Sequence, residues 1–131
     1  MNLLLDTQVW LWMLGEPDRL GSTTTEMLTD ERNGVLLSAA SSWEIAIKHQ
    51  LGKLPLPASP DRYVPDRMWS SGVLGIPIEH AHALAVASLP PHHRDPFDRL
   101  LVAQAQVEDL PIVSVDGQLA RYDVKFIDAR E

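Results

Sequence analysis

Asn2-Leu3-Leu4-Leu5-Asp6-Thr7 is an apolar run that stops on an acid and gives way to a helical pattern, and Pro111-Ile112-Val113-Ser114-Val115-Asp116-Gly117 repeats that arrangement near the other end of the chain. A short continuous apolar run bounded by turn signals reads as a strand buried on both faces. Thr7 to Leu14 is apolar almost all round through Val9, Trp10, Leu11, Trp12, Met13 and Leu14, and so reads as a buried helix, closed by Gly15 and Pro17. Buried strands that lead directly into helices need crossover connections, and these pack as a parallel sheet with both faces covered.

The rhythm continues between the two stretches. Ser22 or Thr23 to Arg32 is expected as a helix stopped by Asn33-Gly34, Val35 to Ser38 as a strand, and Ala39 to Leu51 as a helix closed by Gly52. The prolines of Leu54 to Pro60 impose a loop. Asp61 to Ser71 follows as a helix with Pro65 as a candidate break, then Val73 to Ile78 as a strand interrupted by Pro77. Alanine-rich Glu79 to Leu89 reads as a helix ended by Pro90-Pro91, and Asp95 or Pro96 opens another that runs to Val107. Gln118 to Tyr122 is a short helix and Val124 to Ile127 a last strand. The expected class is α/β: one domain over residues 1–131, with a central, mostly parallel sheet of about four to five short strands flanked by helices.

Composition narrows the function classes. A chain of 131 residues with 45% hydrophobic and 22% charged residues supports one sizeable core and is no disordered tail. It has no cysteine, which removes disulfides, thiolate metal sites and a cysteine nucleophile. The first residues lack a basic segment before the apolar run, so no signal peptide is read there, and no apolar stretch reaches the length of a membrane span. A cytoplasmic protein is expected. The net charge of −7 argues against a simple nucleic-acid binder but not against an enzyme acting on nucleic acid, since carboxylates that hold divalent cations are neutralised when loaded.

Ligands of such sheets bind beyond the carboxyl ends of the strands. Asp6 and Asp116 each follow a strand directly, and Glu44 lies in the first turns of the helix after Ser38, so three acids from distant parts of the chain share one edge. Converging carboxylates repel one another and call for a cation or shared protons. Oxygen-only ligands suit Mg²⁺ or Mn²⁺, and the chemistry that follows is phosphodiester hydrolysis.

Each residue also has a plainer reading. Asp6 could cap the following helix, Thr7 could pack or cap, and Asp116-Gly117 could form a turn. Ser41-Ser42-Trp43-Glu44 has the form of a capping box, with Glu44 and Lys48 as a surface pair one turn apart and Lys48 otherwise solvated. Asp95 suits an N-cap before Pro96, and Asp98 lies three residues on in the same first turn, so the two compete for one role. Arg99 could neutralise the acids, grip RNA or form a surface ion pair. His92-His93 are adjacent in a loop, and His80 and His82 point to different helix faces; all four are read as non-ligands. Trp10, Trp12 and Met13 are read as core or dimer interface rather than as a platform for bases.

Four blocks, taken together, carry a resemblance. Leu3-Leu4-Leu5-Asp6-Thr7-Gln8-Val9-Trp10, Ser38-Ala39-Ala40-Ser41-Ser42-Trp43-Glu44-Ile45-Ala46-Ile47-Lys48, His93-Arg94-Asp95-Pro96-Phe97-Asp98-Arg99-Leu100-Leu101 and Val113-Ser114-Val115-Asp116 resemble, in order and over nearly the whole chain, the PIN-domain family, specifically its VapC-type toxin ribonucleases. The resemblance implies a Mg²⁺- or Mn²⁺-dependent endoribonuclease with an acidic quartet at Asp6, Glu44, Asp98 and Asp116. It also implies a homodimer and a cognate antitoxin whose tail occupies the active-site groove. By this register Asp98 is the site acid and Asp95 a cap or outer ligand. Two positions depart from the family pattern: Ser114 stands where threonine is frequent, which keeps the hydroxyl, and Gln8 where histidine is frequent. Two rivals remain. A receiver-type phospho-signalling module needs a paired acid after the first strand, where only Asp6 stands; an Asp-x-Asp phosphatase fails because the second position is Gln8. A PIN-fold protein-binding module without catalysis is the other, and the presence of all four acids counts against it.

Overall fold

The computed structural model describes Met1–Glu131. Five strands, β1 (Asn2–Leu5), β2 (Gly34–Ser38), β3 (Leu74–Ile76), β4 (Ile112–Ser114) and β5 (Phe126–Asp128), form one sheet in the order β3-β2-β1-β4-β5. All four pairings are parallel, with Leu5 opposite both Leu37 and Val113. Six α-helices make the crossovers: α1 (Thr7–Gly15), α2 (Ser22–Thr29), α3 (Ala39–Gln50), α4 (Pro60–Ser71), α5 (His80–Ala85) and α6 (Pro96–Glu108). No helix is long and apolar enough to cross a membrane.

Alternation along the strands sorts the core. Leu3 and Leu5 face one way and pack with Val35, Leu37, Val113, Val9, Trp10, Ile45 and Val64, whereas Leu4 faces the other way and packs with Ile112, Leu101, Val102, Ala105 and Leu119. Helices α1 to α4 cover the first face, and α5 and α6 the second. Leu3, Leu4 and Leu5 are 0% exposed, each contributing about 1.5–3 kcal/mol of burial. This double coverage is why β1 reads as an unbroken apolar run.

Boundaries differ from expectation where side chains compete with backbone. Helix α2 stops at Thr29, short of Arg32, because Asp30 Oδ1 accepts the Arg32 N–H at 3.0 Å in a local turn. Helix α4 runs unbroken through Pro65: the proline is exposed, so the carbonyl left without its N–H partner is solvated. Gly72, at φ 71°, ends that helix in the left-handed conformation, and Pro77 confines β3 to three residues. The expected helix over Glu79 to Leu89 is α5 followed by a 3₁₀ turn at Val86–Ser88, and the last strand lies at Phe126–Asp128.

The chain leaves β1 toward β2 on one side, while β4 lies on the other. The crevice beyond the carboxyl ends of β1 and β4 is therefore the topological switch point of the sheet, the place where open α/β sheets bind ligands.

Candidate active site

Asp6 stands where β1 meets α1, its N–H donating to the Val113 carbonyl of β4 at 2.9 Å. Its side chain makes no capping hydrogen bond to α1, although the nearby Gln8 N–H acts to lower its pKa. Instead Asp6 Oδ2 accepts the Ser114 hydroxyl at 2.6 Å, and Ser114 Oγ accepts the Asp116 N–H at 3.0 Å. One fully buried hydroxyl thus links the ends of two neighbouring strands. Asp116 also behaves as the turn reading expected: its Oδ1 accepts the Gln118 N–H at 3.0 Å and caps the 3₁₀ helix Gly117–Arg121.

The plainer reading of Glu44 as part of a capping box does not hold. Helix α3 begins at Ala39 and is capped by Ser38, whose hydroxyl accepts the Ala40 N–H at 3.0 Å, so Glu44 falls in the second turn, beyond any capping position. It is only 6% exposed and points inward, with Lys48 paired to its Oε2 from one turn further on. Thr7 Oγ1 donates to Ser41 Oγ at 2.7 Å and ties α1 to α3 under this pair.

Of the two acids at the start of α6, Asp95 takes the cap. Asp95 Oδ1 accepts the Phe97 and Asp98 N–H groups at 2.8 and 3.2 Å, with Pro96 at the first helical position. Asp98, its side chain 15% exposed, turns toward the other acids. Trp43 and Phe97 meet edge to face at 4.9 Å, which fastens the start of α6 to α3 and holds Asp98 on the Glu44 side of the crevice.

Electrostatics follows from this packing. Burial pushes the Asp98 carboxyl from its ordinary 3.8 to about 7, with the charges of Asp6, Asp95 and Glu44 adding and His93 opposing. Burial likewise raises Asp6, against the Ser114 hydrogen bond, and the charges of Glu44 and Asp116 add to the rise. The hydrogen bond to Glu44 raises Lys48 above its ordinary value, and Asp95 and Asp98 reinforce it. Carboxylates that cannot all ionise together in one crevice are what a divalent cation relieves.

One side chain in this crevice was read as a non-ligand. His93 Nε2 lies 2.8 Å from Asp116 Oδ2 and 3.2 Å from Asp98 Oδ2, and its Nδ1 is 3.0 Å from the Asp95 amide nitrogen. The signal in the sequence was its place two residues before the cap, from which a side chain folds back over the helix start. His92 diverges, stacking edge to face on Tyr122 at 5.1 Å. Arg99 differs from the expectation that it neutralises the acids or forms a surface ion pair. It pairs with no acid, and its guanidinium donates to the carbonyls of Pro90, His93, Val86 and Leu89 at 3.0–3.4 Å and to the Tyr122 hydroxyl at 3.4 Å. It fastens the loop that carries His93. Ser41 is the other unforeseen contributor, since nothing in its sequence surroundings distinguished it from a cap.

Beside the acids lies a cavity of about 190 Å³ lined by Thr7, Gln8, Glu44, Lys48 and Lys53. A larger concavity of about 640 Å³, around Met1, Leu110 and Lys125, sits at the opposite end of the strands and holds none of the four acids.

The family model described as PIN domain matches residues 3–125, nearly the whole of the chain and all four acids. The chain belongs to the PIN-domain family. Over 59 residues it is 52% identical to Ribonuclease VapC16 of Mycobacterium tuberculosis (strain ATCC 25618 / H37Rv), a match covering 45% of this chain and 42% of that protein. The chain thus spans about two-fifths of the length of this curated relative. Among solved structures, VapBC2 from Rickettsia felis bound to a DNA fragment from its promoter superposes with a TM-score of 0.71 at 14% identity, covering 97% of this chain and 98% of that one. VapBC-1 from nontypeable Haemophilus influenzae gives 0.66 at 13% identity over 100% of both chains, and FitAcB from Neisseria gonorrhoeae 0.59 at 20% identity over 97% of both. These likenesses establish the PIN fold. The receiver-type rival falls with them: its sheet order is 2-1-3-4-5, whereas this PIN domain is ordered β3-β2-β1-β4-β5.

The donor set of this PIN domain fits a hard divalent cation. Asp6, Glu44, Asp98 and Asp116 supply only oxygens, Asp6 and Asp98 are held above the ordinary carboxylate range, and His93, Asp98 and Asp116 present ligand-type atoms within 4.8 Å of one another.

Proposed function

We propose that this chain is a VapC-type toxin: a single-domain endoribonuclease that hydrolyses RNA phosphodiester bonds with Mg²⁺ or Mn²⁺ held by Asp6, Glu44, Asp98 and Asp116. The observation that carries the reading is the crowding of acids at the switch point of a PIN sheet, with Asp6 and Glu44 buried and Asp98 raised to about 7 by burial and by the charges of Asp6, Asp95 and Glu44. The local 52% identity to a protein named a ribonuclease supports the substrate class. When bound, the cation supplies charge neutralisation at phosphorus and a water acidified toward neutral pH. Ser114 fixes the orientation of Asp6, Lys48 holds Glu44, and Asp95 sets the direction of α6 and hence of Asp98. Thr7 braces α3 through Ser41. Lys48 and Lys53, at the rim of the adjacent cavity, offer the RNA backbone its counter-charge in a chain that is otherwise acidic.

The reading includes partners. A cognate antitoxin would lay its tail in the acidic groove, a second copy would form a homodimer, and the pair would assemble as a hetero-oligomer in the cytoplasm. Similarity in fold to VapBC2, solved on promoter DNA, supports a DNA-binding partner chain. The test is incubation of the purified chain with RNA in Mg²⁺, in Mn²⁺ and in excess chelator. Internal cleavage with either cation and none in chelator is expected; cleavage that survives the chelator, or none under any condition, overturns the proposal.

A further inference from the structure

We propose that His93 is not a ligand of the divalent cation but a hydrogen-bond donor that competes with it for Asp98 and Asp116; this rests on the cation site proposed above. The three side chains lie close enough to pass for three ligands of one ion. Their hydrogen-bond directions give a different assignment. His93 Nδ1 faces the Asp95 N–H at 3.0 Å, and an N–H can only donate, so Nδ1 is bare and the imidazole proton sits on Nε2. That Nε2–H is aimed at Asp116 Oδ2 at 2.8 Å, with Asp98 Oδ2 at 3.2 Å. An imidazole coordinates a metal through a bare nitrogen, and the bare nitrogen here is committed to the backbone of Asp95.

The competition is over specific atoms. Asp116 Oδ1 accepts the Gln118 N–H, so Oδ2 is the oxygen without a backbone partner, and His93 holds that one. The positive end of an N–H bond between two carboxylates neutralises them in part and repels a cation approaching the same oxygens. The placement is enforced, because the Arg99 guanidinium binds the His93 carbonyl together with those of Val86, Leu89 and Pro90. Elsewhere the chain uses the same clamp for packing alone: His82 Nδ1 accepts the Glu79 N–H at 2.9 Å and Nε2 reaches Glu108 at 2.8 Å, joining α5 to α6. His93 applies that clamp to acids that have another partner to bind.

Calorimetric titration of Mn²⁺ into the full chain, His93→Ala and His93→Gln tests this, with thermal melts to confirm folding. His93→Ala is expected to bind Mn²⁺ about ten-fold more tightly, the scale of one hydrogen bond to a charged group. His93→Gln, which restores an N–H at similar reach, returns toward the unsubstituted affinity. Should His93→Ala not fold, Arg99→Lys loosens the same loop and is expected to shift affinity in the same direction by less. Weaker or unchanged Mn²⁺ binding in His93→Ala, or in Arg99→Lys where that variant stands in, overturns the competition and leaves the cation site intact. No Mn²⁺ binding by the unsubstituted chain overturns both.

Discussion

The β1–α1 junction at Asp6 and the β4–3₁₀ junction at Asp116 look alike in the sequence: an apolar strand, an acid, the start of a helix. In the fold they diverge. Asp6 is 7% exposed and caps nothing, its carboxylate turned inward to Ser114, whereas Asp116 has a side chain 33% exposed and divides its oxygens between a local cap and His93. The difference is set by neighbours. β1 is the central strand, covered on both faces, so its terminal acid is buried; β4 has only the short edge strand β5 beyond it. Packing decides how far an acid at a strand end is turned away from the backbone amides that would otherwise satisfy it.

The largest expected effect separates the two junctions by chemistry. Asp6→Asn should lower RNA cleavage by about 10²–10³-fold, the scale of losing one preorganised charge, and Asp116→Asn by about ten-fold or somewhat more. Single-turnover cleavage rates measure both, and equal losses would erase the distinction. Next comes pH. Because the folded-state pKa of Asp98 is raised to about 7, and that of Asp6 is raised as well, these groups favour the folded chain at low pH. In chelator the Asp98 contribution fades as pH rises from about 4 to about 7, by about 1.4 kcal/mol for each pH step of one, and Asp6 adds a loss of the same sign. Melting in chelator should therefore be lower at about pH 8 than at about pH 5, and added Mn²⁺ should recover the loss at the higher pH. A rise in stability with pH in chelator would contradict the burial argument.

Smaller effects probe the link itself. Ser114→Ala removes the hydroxyl shared by the two junctions and should cost about 1–3 kcal/mol in denaturant unfolding, more than Asp116→Ala, which loses a partly exposed cap worth about 1 kcal/mol. The reverse order would place the main constraint at β4.

Much of this was legible in the residues. The unbroken apolar runs at Leu3 to Leu5 and Ile112 to Val113 announced strands covered on both faces, and strand-end placement put Asp6 and Asp116 at one edge. Asp95-Pro96 reads as a cap, but the choice of Asp98 over Asp95 rested on the family register. Glu44 was legible only in part: its place after Ser38 put it at the same edge, but Ser41 to Glu44 also has the form of a capping box, and spacing alone does not separate the two readings. His93 and Arg99 were hidden for a related reason: His93 meets Asp116, distant in sequence, as well as the Asp95 amide, and Arg99 meets the carbonyls of a proline-rich loop and the hydroxyl of distant Tyr122. Periodicity reports faces of elements, while such contacts depend on how the elements meet.

The central claim, that four acids form one divalent-cation site, is tested most directly by the cation-induced rise in melting temperature at neutral pH. The unsubstituted chain is expected to gain stability with rising Mn²⁺, while an Asp6→Asn, Asp98→Asn double variant, melting cooperatively, gains none. An equal rise in both, or no rise in the unsubstituted chain, contradicts the account.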